Sequence, residues 1–509
     1  MKQIFLSNPH RPARRAACGR PLVRTGFEFE NGWQCRWESP VQRWDMDARS
    51  LKFIAAACAG EQLTGSPETL VNRACTDSRQ AQAGDLFFAL PGERFDGHTF
   101  VHDVARQGVT AIVVERAKIS TALPGCAVIT VDDTRRALGR LAAAYRQDFS
   151  LPIIAVGGSN GKTTAKELIA AVLRQKLTSL WSEASFNNDI GVPLTLLRLE
   201  KRHTAAVLEV GTNHPGELAP LVKMVQPKFG VITNIGREHL EFFGDLAGVA
   251  DEEGWLAELL PSDGRLFING DNDWSARVAQ RTRASVVRMG AAQTNDWRVS
   301  NVALDKQGTT FRVEAPNAAF SGAYRINLVG RHQAVNALFA IALGAELNLS
   351  RAEIERGLAE CQPPKMRLQL WEWNGVRVLD DAYNANADSM IAALQTLQDL
   401  PCKGRRVAVL GDMAELGAHS EAAHAEVGRC AAELGVGQLF VVGKMAGVMA
   451  RAAREAGLNR VLEFEEVEAV VAAVKQFVKP GDVLLMKASR AARLERIAEL
   501  LRSDVARKN

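Results

Sequence analysis

Residues 155–164 read Ala-Val-Gly-Gly-Ser-Asn-Gly-Lys-Thr-Thr, and the apolar run Leu151-Pro-Ile-Ile leads directly into them. Glycines let backbone N–H groups approach phosphate oxygens, Lys162 supplies a cation, and the Thr163 hydroxyl can bind Mg²⁺. The segment therefore predicts a strand, a phosphate-binding loop and a helix. The expected nucleotide contacts are the residues of the loop and the first helical turn: Gly158, Ser159, Asn160, Gly161, Lys162, Thr163 and Thr164.

The loop is shorter than the usual nucleotide-binding pattern, which places a glycine five residues before Gly161. This chain has Val156 there, so its loop has the form Gly-x-x-Gly-Lys-Thr from Gly158 onward. A Gly-Lys-Thr triplet alone is common in proteins. The strand before it and the helix after it make the prediction of nucleotide binding specific.

Several other polar features follow apolar runs, where ligands bind in open α/β sheets. Glu209 ends the predicted strand Ala205-Ala-Val-Leu and is placed to hold Mg²⁺ beside Thr163, although an acid that only ends a strand explains it equally well. The remaining polar features can also be explained without a functional role, as ordinary loops, a surface histidine or a capped helix start. They are Asn187 and Asn188 in a turn expected after a helix, His239 after the strand at 231–236, the helix start at 330–336, and the polar loop 380–386.

The overall composition is that of an ordinary globular protein, with 47% hydrophobic and 24% charged residues among 509. No apolar run approaches the roughly 20 residues of a membrane span. The eight cysteines are scattered, which predicts neither a metal site nor a disulfide framework. We therefore expect a cytoplasmic protein without a membrane span and without a nucleic-acid partner.

Residues 1–45 carry the whole net charge of +4, because they contain eight Lys or Arg and four Asp or Glu. Regular periodicity begins only after Met46, with Leu51, Ile54 and Cys58 at helical spacing. We expect 1–45 to be a disordered or mis-assigned N-terminal extension and Met46 to be the native start. A basic RNA-binding tail is the alternative, but its charges are sparse and not clustered.

Strands and helices alternate along the rest of the chain, which predicts an α/β protein of three domains. We expect a smaller N-terminal α/β domain at 46–150, then a central domain at 151–362 with a P-loop ATPase-type, largely parallel sheet. A C-terminal Rossmann-like domain is expected at 363–509. Gln362-Pro-Pro-Lys is the predicted linker before it, since paired prolines stop helices and stiffen a joint.

Four stretches taken in order resemble a known family. They are the short phosphate loop, Asn187-Asn-Asp-Ile-Gly-Val-Pro-Leu-Thr-Leu-Leu, Asp381-Ala-Tyr-Asn-Ala-Asn, and Gly411-Asp-Met-Ala-Glu-Leu-Gly417. Over about 46–509 the chain resembles the Mur ligases, the ATP-dependent amide-forming enzymes of peptidoglycan synthesis. The short loop is the usual form in that family. The last stretch is similar to that of members that join D-alanyl-D-alanine to UDP-N-acetylmuramoyl-tripeptide.

The resemblance implies a two-step reaction that needs ATP and Mg²⁺. ATP phosphorylates a substrate carboxylate, and an amine then attacks the acyl phosphate and releases phosphate. Carried over by position, Lys162 and Thr163 bind the phosphates and the first Mg²⁺, and Glu209 is a metal ligand. His239, within His-Leu-Glu-Phe-Phe-Gly, helps to hold a second Mg²⁺.

The resemblance also implies a set of nucleotide and substrate contacts. Asn336 lies near the adenine, Gln333 replaces an asparagine of many members, and Arg367 and Asp381 reach the nucleotide from the third domain. Ala488 replaces the glycine of a Lys-Gly-Ser-Arg element. The implied substrate contacts are Ser78, Arg79 and His98 for the uridine diphosphate, Asn187, Asn188, Tyr383 and Asn384 elsewhere, and Lys487 and Arg490 near the incoming amine.

The chain departs from the resemblance at Glu253, in Val249-Ala-Asp-Glu-Glu-Gly. Family members commonly have a lysine there that reacts with CO₂ to form a carbamate, which binds the second metal. This chain has no lysine from 229 to 305. We expect the Glu253 carboxylate to replace the carbamate as a Mg²⁺ ligand, with Glu252 as the weaker candidate and an inconsequential surface acid as the alternative.

Other functions remain open at this point. One is an amide ligase on the same scaffold for another amino acid, or a folate polyglutamate ligase, although no Asp-Asn-Pro-Arg stretch is present. Another is a P-loop switch ATPase, which leaves the 381–386 stretch unexplained. The expected partners are UDP-N-acetylmuramoyl-tripeptide and D-alanyl-D-alanine, and we expect a monomer.

Overall fold

The structure is a computed structural model that describes residues 45–92, 95–119, 123 and 125–506. The hypotheses about the N-terminal extension concern a segment that, apart from Asp45, lies outside these residues. In the part of the chain that is described, no helix is both long and apolar enough to cross a membrane. Three sheets follow one another along the chain, which confirms the predicted three-domain α/β fold.

The first sheet has six strands in the order β1-β3-β4-β5-β6-β2. Its strands are β1 Asp45–Ser50, β2 Glu61–Gln62, β3 Leu70–Cys75, β4 Leu86–Phe88, β5 Ala111–Glu115 and β6 Ala127–Val131, and its helices are α1 Leu51–Ala57, α2 Val101–Arg106 and α3 Thr134–Arg146. Strands β3 to β6 are parallel, and β1 and β2 are antiparallel edges. The segments after β3, β4 and β6 therefore lie at one edge of the sheet.

The central sheet has nine strands in the order β15-β14-β13-β12-β11-β10-β7-β9-β8. Its strands are β7 Ile153–Gly157, β8 Ser179–Trp181, β9 Ala205–Glu209, β10 Phe229–Ile232, β11 Arg265–Asn269, β12 Ser285–Gly290, β13 Trp297–Leu304, β14 Thr309–Glu314 and β15 Gly322–Ile326. Its helices are α4 Lys162–Leu173, α5 Gly191–Leu196, α6 Leu218–Val225, α7 Leu240–Phe243, α8 Leu246–Glu258, α9 Ser275–Ala279, α10 Arg331–Glu346 and α11 Arg351–Glu360.

Strands β7 to β10 of this sheet are parallel, and β7, β9 and β10 are buried on both faces, so the sequences of these three read as continuous apolar runs rather than alternating ones. Strands β13 to β15 are antiparallel. The turn that holds Asn187 and Asn188 follows strand β8, so the expectation that it follows a helix was wrong. Its short three-residue strand carries too little pattern to be told from a helix by periodicity.

The third sheet has six strands in the order β16-β17-β21-β18-β19-β20, and all are parallel except the edge strand β16. Its strands are β16 Gln369–Trp373, β17 Val376–Asp380, β18 Arg406–Gly411, β19 Gln438–Val442, β20 Val461–Phe464 and β21 Val483–Lys487, and its helices are α12 Ala387–Asp399, α13 Ser420–Glu433, α14 Ala446–Glu455, α15 Val467–Phe477 and α16 Glu495–Ala506. Short 3₁₀ turns lie at Gly97–Phe100, Arg116–Lys118, Ala318–Phe320, Gly417–His419 and Arg490–Ala492.

One apolar cluster continues from the first sheet into one face of the central sheet, from Met46 to Ala284. Two side chains of helix α3 also bond to the central domain. The Tyr145 hydroxyl donates to the Leu199 carbonyl at 2.5 Å, and Arg146 Nε donates to the Val225 carbonyl at 3.0 Å. The first two sheets are therefore joined by a common core, whereas the buried residues of the clusters at the third sheet belong to the third domain apart from Val329.

The predicted domain limits at 150 and 362 stay predictions. Helix α3 ends at Arg146 and β7 begins at Ile153, while α11 ends at Glu360 and β16 begins at Gln369. Gln362-Pro-Pro-Lys lies in the second of these intervals. A change in the relative position of the third sheet would require rotation in that short segment.

Candidate active site

The phosphate loop lies between strand β7 and helix α4, as the sequence predicts. Val156 is a buried residue of β7 and not part of the loop. Gly158 and Gly161 have φ values of 104° and 87°, in the left-handed region that favours glycine. A Cβ atom on Gly161 would also lie 2.8 Å from Asn336 Oδ1 in helix α10. The close approach of α10 thus requires glycine at this position.

The segment after strand β10 holds the loop in place. Ser159 N–H donates to the Asn234 carbonyl at 2.9 Å, and Asn160 N–H donates to Asn234 Oδ1 at 2.8 Å. Gly236 N–H donates to Ser159 Oγ at 2.8 Å. Asn234 was not singled out from the sequence, although its place at the end of a parallel strand is the usual signal of a site residue.

The Lys162 ammonium is held by the loop itself and by an acidic residue that sequence reasoning missed. Its Nζ donates to the Gly158 carbonyl at 2.5 Å and lies 3.3 Å from Glu238 Oε2. Burial alone would lower the pKa of Lys162, but three carboxylates outweigh it and raise this pKa above its ordinary value. They are Glu238, Glu253 and Glu209.

Glu253, on helix α8, lies beneath the phosphate loop and is fully buried. Its Oε2 accepts the Gly158 N–H at 2.7 Å, while its Oε1 has no hydrogen-bond partner among the described residues. Burial raises the pKa of the Glu253 carboxyl to about 8, against the opposing effect of Lys162. The described residues that line the cleft include Glu209 and Glu238 but not Glu253. Glu252 instead accepts backbone N–H groups of Gly216 and Leu218.

Glu209 ends strand β9 next to the loop and is also buried. Its Oε1 accepts from Asn187 Nδ2 at 2.9 Å, and its Oε2 has no partner among the described residues. The Thr163 hydroxyl lies 3.2 Å from Ser185 Oγ. Lys166, one helical turn after Lys162, fastens this region, because its buried Nζ donates to the Ser182 and Ala184 carbonyls. Sequence reasoning missed Lys166, although a lysine within a buried helix was a signal.

His239 lies just before helix α7 and lines the cleft. Its Nε2 is 4.0 Å from Glu238 Oε2, and its Nδ1 is hydrogen-bonded to Glu415 Oε2 of the third domain. The hydrogen bond from His239 lowers the pKa of the Glu415 carboxyl. The sequence predicted a role for His239 but not its contact with Glu415.

The carboxylates fit a bound divalent cation. Glu209 Oε2 and Glu253 Oε1 are buried oxygens without hydrogen-bond partners among the described residues, and such oxygens are costly unless a cation or proton satisfies them. Three carboxylates also face the single Lys162 ammonium. No three His, Cys, Asp or Glu side chains of the described residues form a complete metal cage. Mg²⁺ commonly takes only one or two carboxylates and fills its shell with water and substrate phosphates.

The third domain reaches into the same cleft. Asn386 Nδ2 donates to Asn160 Oδ1 of the phosphate loop at 3.0 Å. Arg367 Nη2 donates to Ser185 Oγ at 3.1 Å, and its guanidinium lies 4.1 Å from the centre of the Tyr383 ring. Both contacts join the third domain to the phosphate-binding part of the central domain.

Behind this contact, Lys487 forms the centre of a polar cluster. Its Nζ lies 2.6 Å from Asp381 Oδ2 and donates to the Asn384 carbonyl at 2.9 Å. Arg490 N–H donates to Asn384 Oδ1 at 3.3 Å. Burial lowers the pKa of the neighbouring His332 to about 4, despite the opposing charge of Asp381. The structure therefore brings these predicted third-domain residues together.

The cleft has a volume of about 1630 Å³ and is open to residues of all three domains. The predicted residues that line it are Ser159, Asn160, Gly161, Lys162, Thr163, Thr164, Asn187, Asn188, Glu209, His239, Gln333, Asn336, Arg367, Asp381, Tyr383, Asn384, Lys487 and Arg490. Asn188 has a structural task there, because its Oδ1 accepts the Gly191 N–H at the start of α5. Asn336 donates to Gln333 Oε1 at 2.9 Å.

Three predicted residues of the first domain are not among the described residues that line the cleft. Arg79 is exposed and bonds to Asp77, and Ser78 is half-buried beside it. Both ring nitrogens of His98 are engaged, since Nδ1 lies 2.6 Å from Asp96 Oδ1 and Nε2 accepts the Glu115 N–H at 2.9 Å. His98 thus fixes its own loop. The first domain instead lines the cleft with residues of α3 that sequence reasoning missed: Arg135, Arg136 and Arg140.

Comparison with known proteins agrees with this geometry. The chain matches the Mur ligase family catalytic domain at 71–146, the Mur ligase middle domain at 156–344 and the Mur ligase glutamate ligase domain at 366–490. It is 38% identical over 453 residues to the UDP-N-acetylmuramoyl-tripeptide–D-alanyl-D-alanine ligase of Escherichia coli, covering 87% of this chain and 96% of that protein.

Solved structures show the same similarity. MurF from Acinetobacter baumannii aligns with a TM-score of 0.82 and 32% identity, covering 90% of this chain and 100% of that one. MurF ligase from Thermotoga maritima in complex with ADP aligns with a TM-score of 0.74 and 26% identity, covering 86% of this chain and 98% of that one. From its domains, its site and these relatives, the chain belongs to the Mur ligase family.

Proposed function

We propose that this protein is an ATP-dependent ligase that adds D-alanyl-D-alanine to UDP-N-acetylmuramoyl-tripeptide in peptidoglycan precursor synthesis. The observation that carries the proposal is the contact of the phosphate loop with the third domain across one cleft, where Asn386 donates to Asn160. A site that places a phosphate loop opposite a second polar cluster suits transfer between two bound substrates. The ligases named above act on these same two substrates by name.

The reaction proceeds in two steps. The tripeptide carboxylate attacks the γ-phosphorus of ATP, which releases ADP and leaves an acyl phosphate. The amine of D-alanyl-D-alanine then attacks the acyl carbon, the amide forms, and phosphate leaves with the former carboxylate oxygen. Lys162 reduces the repulsion between the carboxylate and the phosphates, and the loop N–H groups orient them. Contact between the domains keeps water from the acyl phosphate.

We assign the metal ligands from the buried acids of the site. Thr163 and Glu209 would hold the Mg²⁺ that accompanies ATP, and His239 and Glu253 would hold a second one. The partnerless oxygens Glu209 Oε2 and Glu253 Oε1 support the assignment of these two acids. The cations supply positive charge where the phosphoryl group moves. Glu253 provides a carboxylate that needs no modification by CO₂.

The substrate contacts divide among the three domains. We propose that 46–150 receives the uridine diphosphate through Ser78 and Arg79, with His98 shaping the loop, and that 151–362 binds ATP, with Asn336 near the adenine. In 363–509, Arg367 and Asp381 approach the nucleotide. The proposed contacts of the peptide and dipeptide are Asn187, Asn188, Tyr383, Asn384, Lys487 and Arg490. We also propose that the protein acts as a monomer in the cytoplasm.

The test is phosphate release measured with each substrate alone and with both. We expect turnover only when UDP-N-acetylmuramoyl-tripeptide, D-alanyl-D-alanine, ATP and Mg²⁺ are all present, and none after removal of Mg²⁺ with EDTA. Single amino acids should not replace the dipeptide. Turnover without the dipeptide and peptide would indicate a switch ATPase, and transfer of glutamate to a folate would indicate the related ligase.

A further inference from the structure

The stretch Asp412-Met-Ala-Glu-Leu-Gly417 of the third domain lies on helix α7 of the central domain. Glu415 makes two contacts there. Its Oε2 is hydrogen-bonded to His239 Nδ1, and its carbonyl accepts the Glu241 N–H at 3.1 Å. Gly417 packs against Glu241, since a Cβ on that glycine would lie 3.2 Å from the Glu241 Cα atom. The contact therefore joins the third domain to the central domain at His239, which lines the cleft.

The stretch is fixed within its own domain. The Asp412 carboxylate accepts the N–H groups of Lys444 and Met445, both at 2.9 Å. His424 Nε2 accepts the Met413 N–H at 2.9 Å. These hydrogen bonds fix the stretch that carries Glu415 within the third domain. The position of the Glu415 carboxylate relative to His239 therefore depends on the position of the third domain.

The hydrogen bond determines which ring nitrogen of His239 is available. Because a carboxylate only accepts, the proton of the neutral imidazole must lie on Nδ1, which leaves the lone pair on Nε2. Nε2 faces Glu238 Oε2 at 4.0 Å, which is the same oxygen that contacts Lys162. A histidine with its lone pair on Nε2 is in the form that binds a cation.

We infer that Glu415 is a positioning residue that sets the tautomer and orientation of His239, and that it does so only when the third domain is seated on helix α7. Seating of the dipeptide-binding domain thereby completes the metal site. Contact of the third domain with helix α7 and completion of the metal site are coupled through one hydrogen bond between His239 and Glu415, which are 176 residues apart in the chain. This inference rests on the metal role proposed above for His239.

The test uses the full chain with ADP and Mn²⁺ in place of Mg²⁺. Mn²⁺ affinity is measured by electron paramagnetic resonance, and the His239 ring nitrogens are observed by ¹⁵N NMR in separate samples without metal. We expect Glu415→Ala to weaken Mn²⁺ binding by about tenfold or more and to raise the population protonated on Nε2. Glu415→Gln should lose much less, because its amide oxygen still accepts from Nδ1–H. The matched control is Glu421→Ala, an exposed acid in the same region, which should behave as wild type.

His239→Ala separates this inference from the proposed metal role. If His239→Ala binds Mn²⁺ as tightly as wild type, the metal role is wrong and the inference falls with it. If His239→Ala weakens binding tenfold while Glu415→Ala does not, the metal role stands and the positioning role is overturned. A wild-type His239 protonated on Nε2 overturns it as well, and this measurement needs no variant to fold.

Discussion

At the scale of single residues, the two oxygens of Glu253 have different environments. Oε2 is bound to the backbone of the phosphate loop, and Oε1 is buried without a partner among the described residues. A neutral side chain of the same shape could keep the first contact but would supply only a weak metal ligand at the second position. Substitutions of Glu253 can thus separate support of the loop from the proposed metal binding.

We expect Glu253→Ala to lose most ligase activity, since it removes both the loop contact and the carboxylate. Glu253→Gln should keep the loop contact yet lower Mn²⁺ affinity. Glu253→Lys should be inactive without bicarbonate and partly restored by it, because a lysine carbamate replaces the carboxylate. Ligase assays with and without bicarbonate measure this. Wild-type activity in Glu253→Ala would contradict the metal role of Glu253.

His332 gives a second prediction at this scale, concerning pH. Its folded-state pKa of about 4 lies below the ordinary value of 6.5, so the unfolded chain binds the proton more readily. The stabilisation by neutral His332 is present above pH 6.5 and is lost as the pH falls from there towards 4. The loss in the free energy of unfolding is at most about 3–4 kcal/mol. Urea unfolding at pH 7.5 and 4.5 should show a smaller pH effect in His332→Gln, and equal effects would contradict it.

At the scale of helices and strands, the apolar runs predicted the parallel strands well. The predicted strand that Glu209 ends is β9, and β7 with α4 encloses the loop as expected. These elements are buried on both faces, so their sequences carry the signal locally. Strand β8 was missed because three residues carry little pattern.

The role of a site residue was predictable where that residue lies at or after the end of a strand. It was less predictable where the residue contacts a side chain or backbone group that is distant in the sequence. Lys162, Glu209 and His239 follow strands, and their positions along the sequence indicated a role. The contact of Glu253 with Gly158 spans 95 residues, and that of His239 with Glu415 spans 176. Nothing in the local sequence encodes such pairs, which depend on how the domains pack.

At the scale of the whole molecule, Arg237 joins the central and third domains. Its Nε donates to Asp388 Oδ1 at 2.7 Å, and its Nη1 donates to Glu426 Oε2 at 2.5 Å. These acids lie at α12 and α13, next to the Asn386 contact. The three side chains are roughly one-third exposed, so solvent weakens each pair.

Arg237→Ala should weaken the contact between the central and third domains. It should shift the equilibrium between joined and separated arrangements of these domains towards the separated one by about 1 kcal/mol. We expect a larger maximum dimension in small-angle X-ray scattering, and a similar expansion of the wild type at high salt. The matched control is Arg454→Ala, which breaks a pair with Glu463 inside the third domain. If Arg237→Ala and Arg454→Ala scatter alike, Arg237 does not hold the domains together.

The apolar cluster that runs from Met46 to Ala284 has a consequence for the order of events during turnover. It packs the first and central domains against each other, so the distance between the proposed tripeptide and ATP sites would be set before either ligand binds. A swing of the third domain about 361–368 would then be the motion that opens and closes the cleft. Movement at this one hinge would then set the rate of the catalytic cycle. Release of the finished pentapeptide would require the same movement that admits the dipeptide.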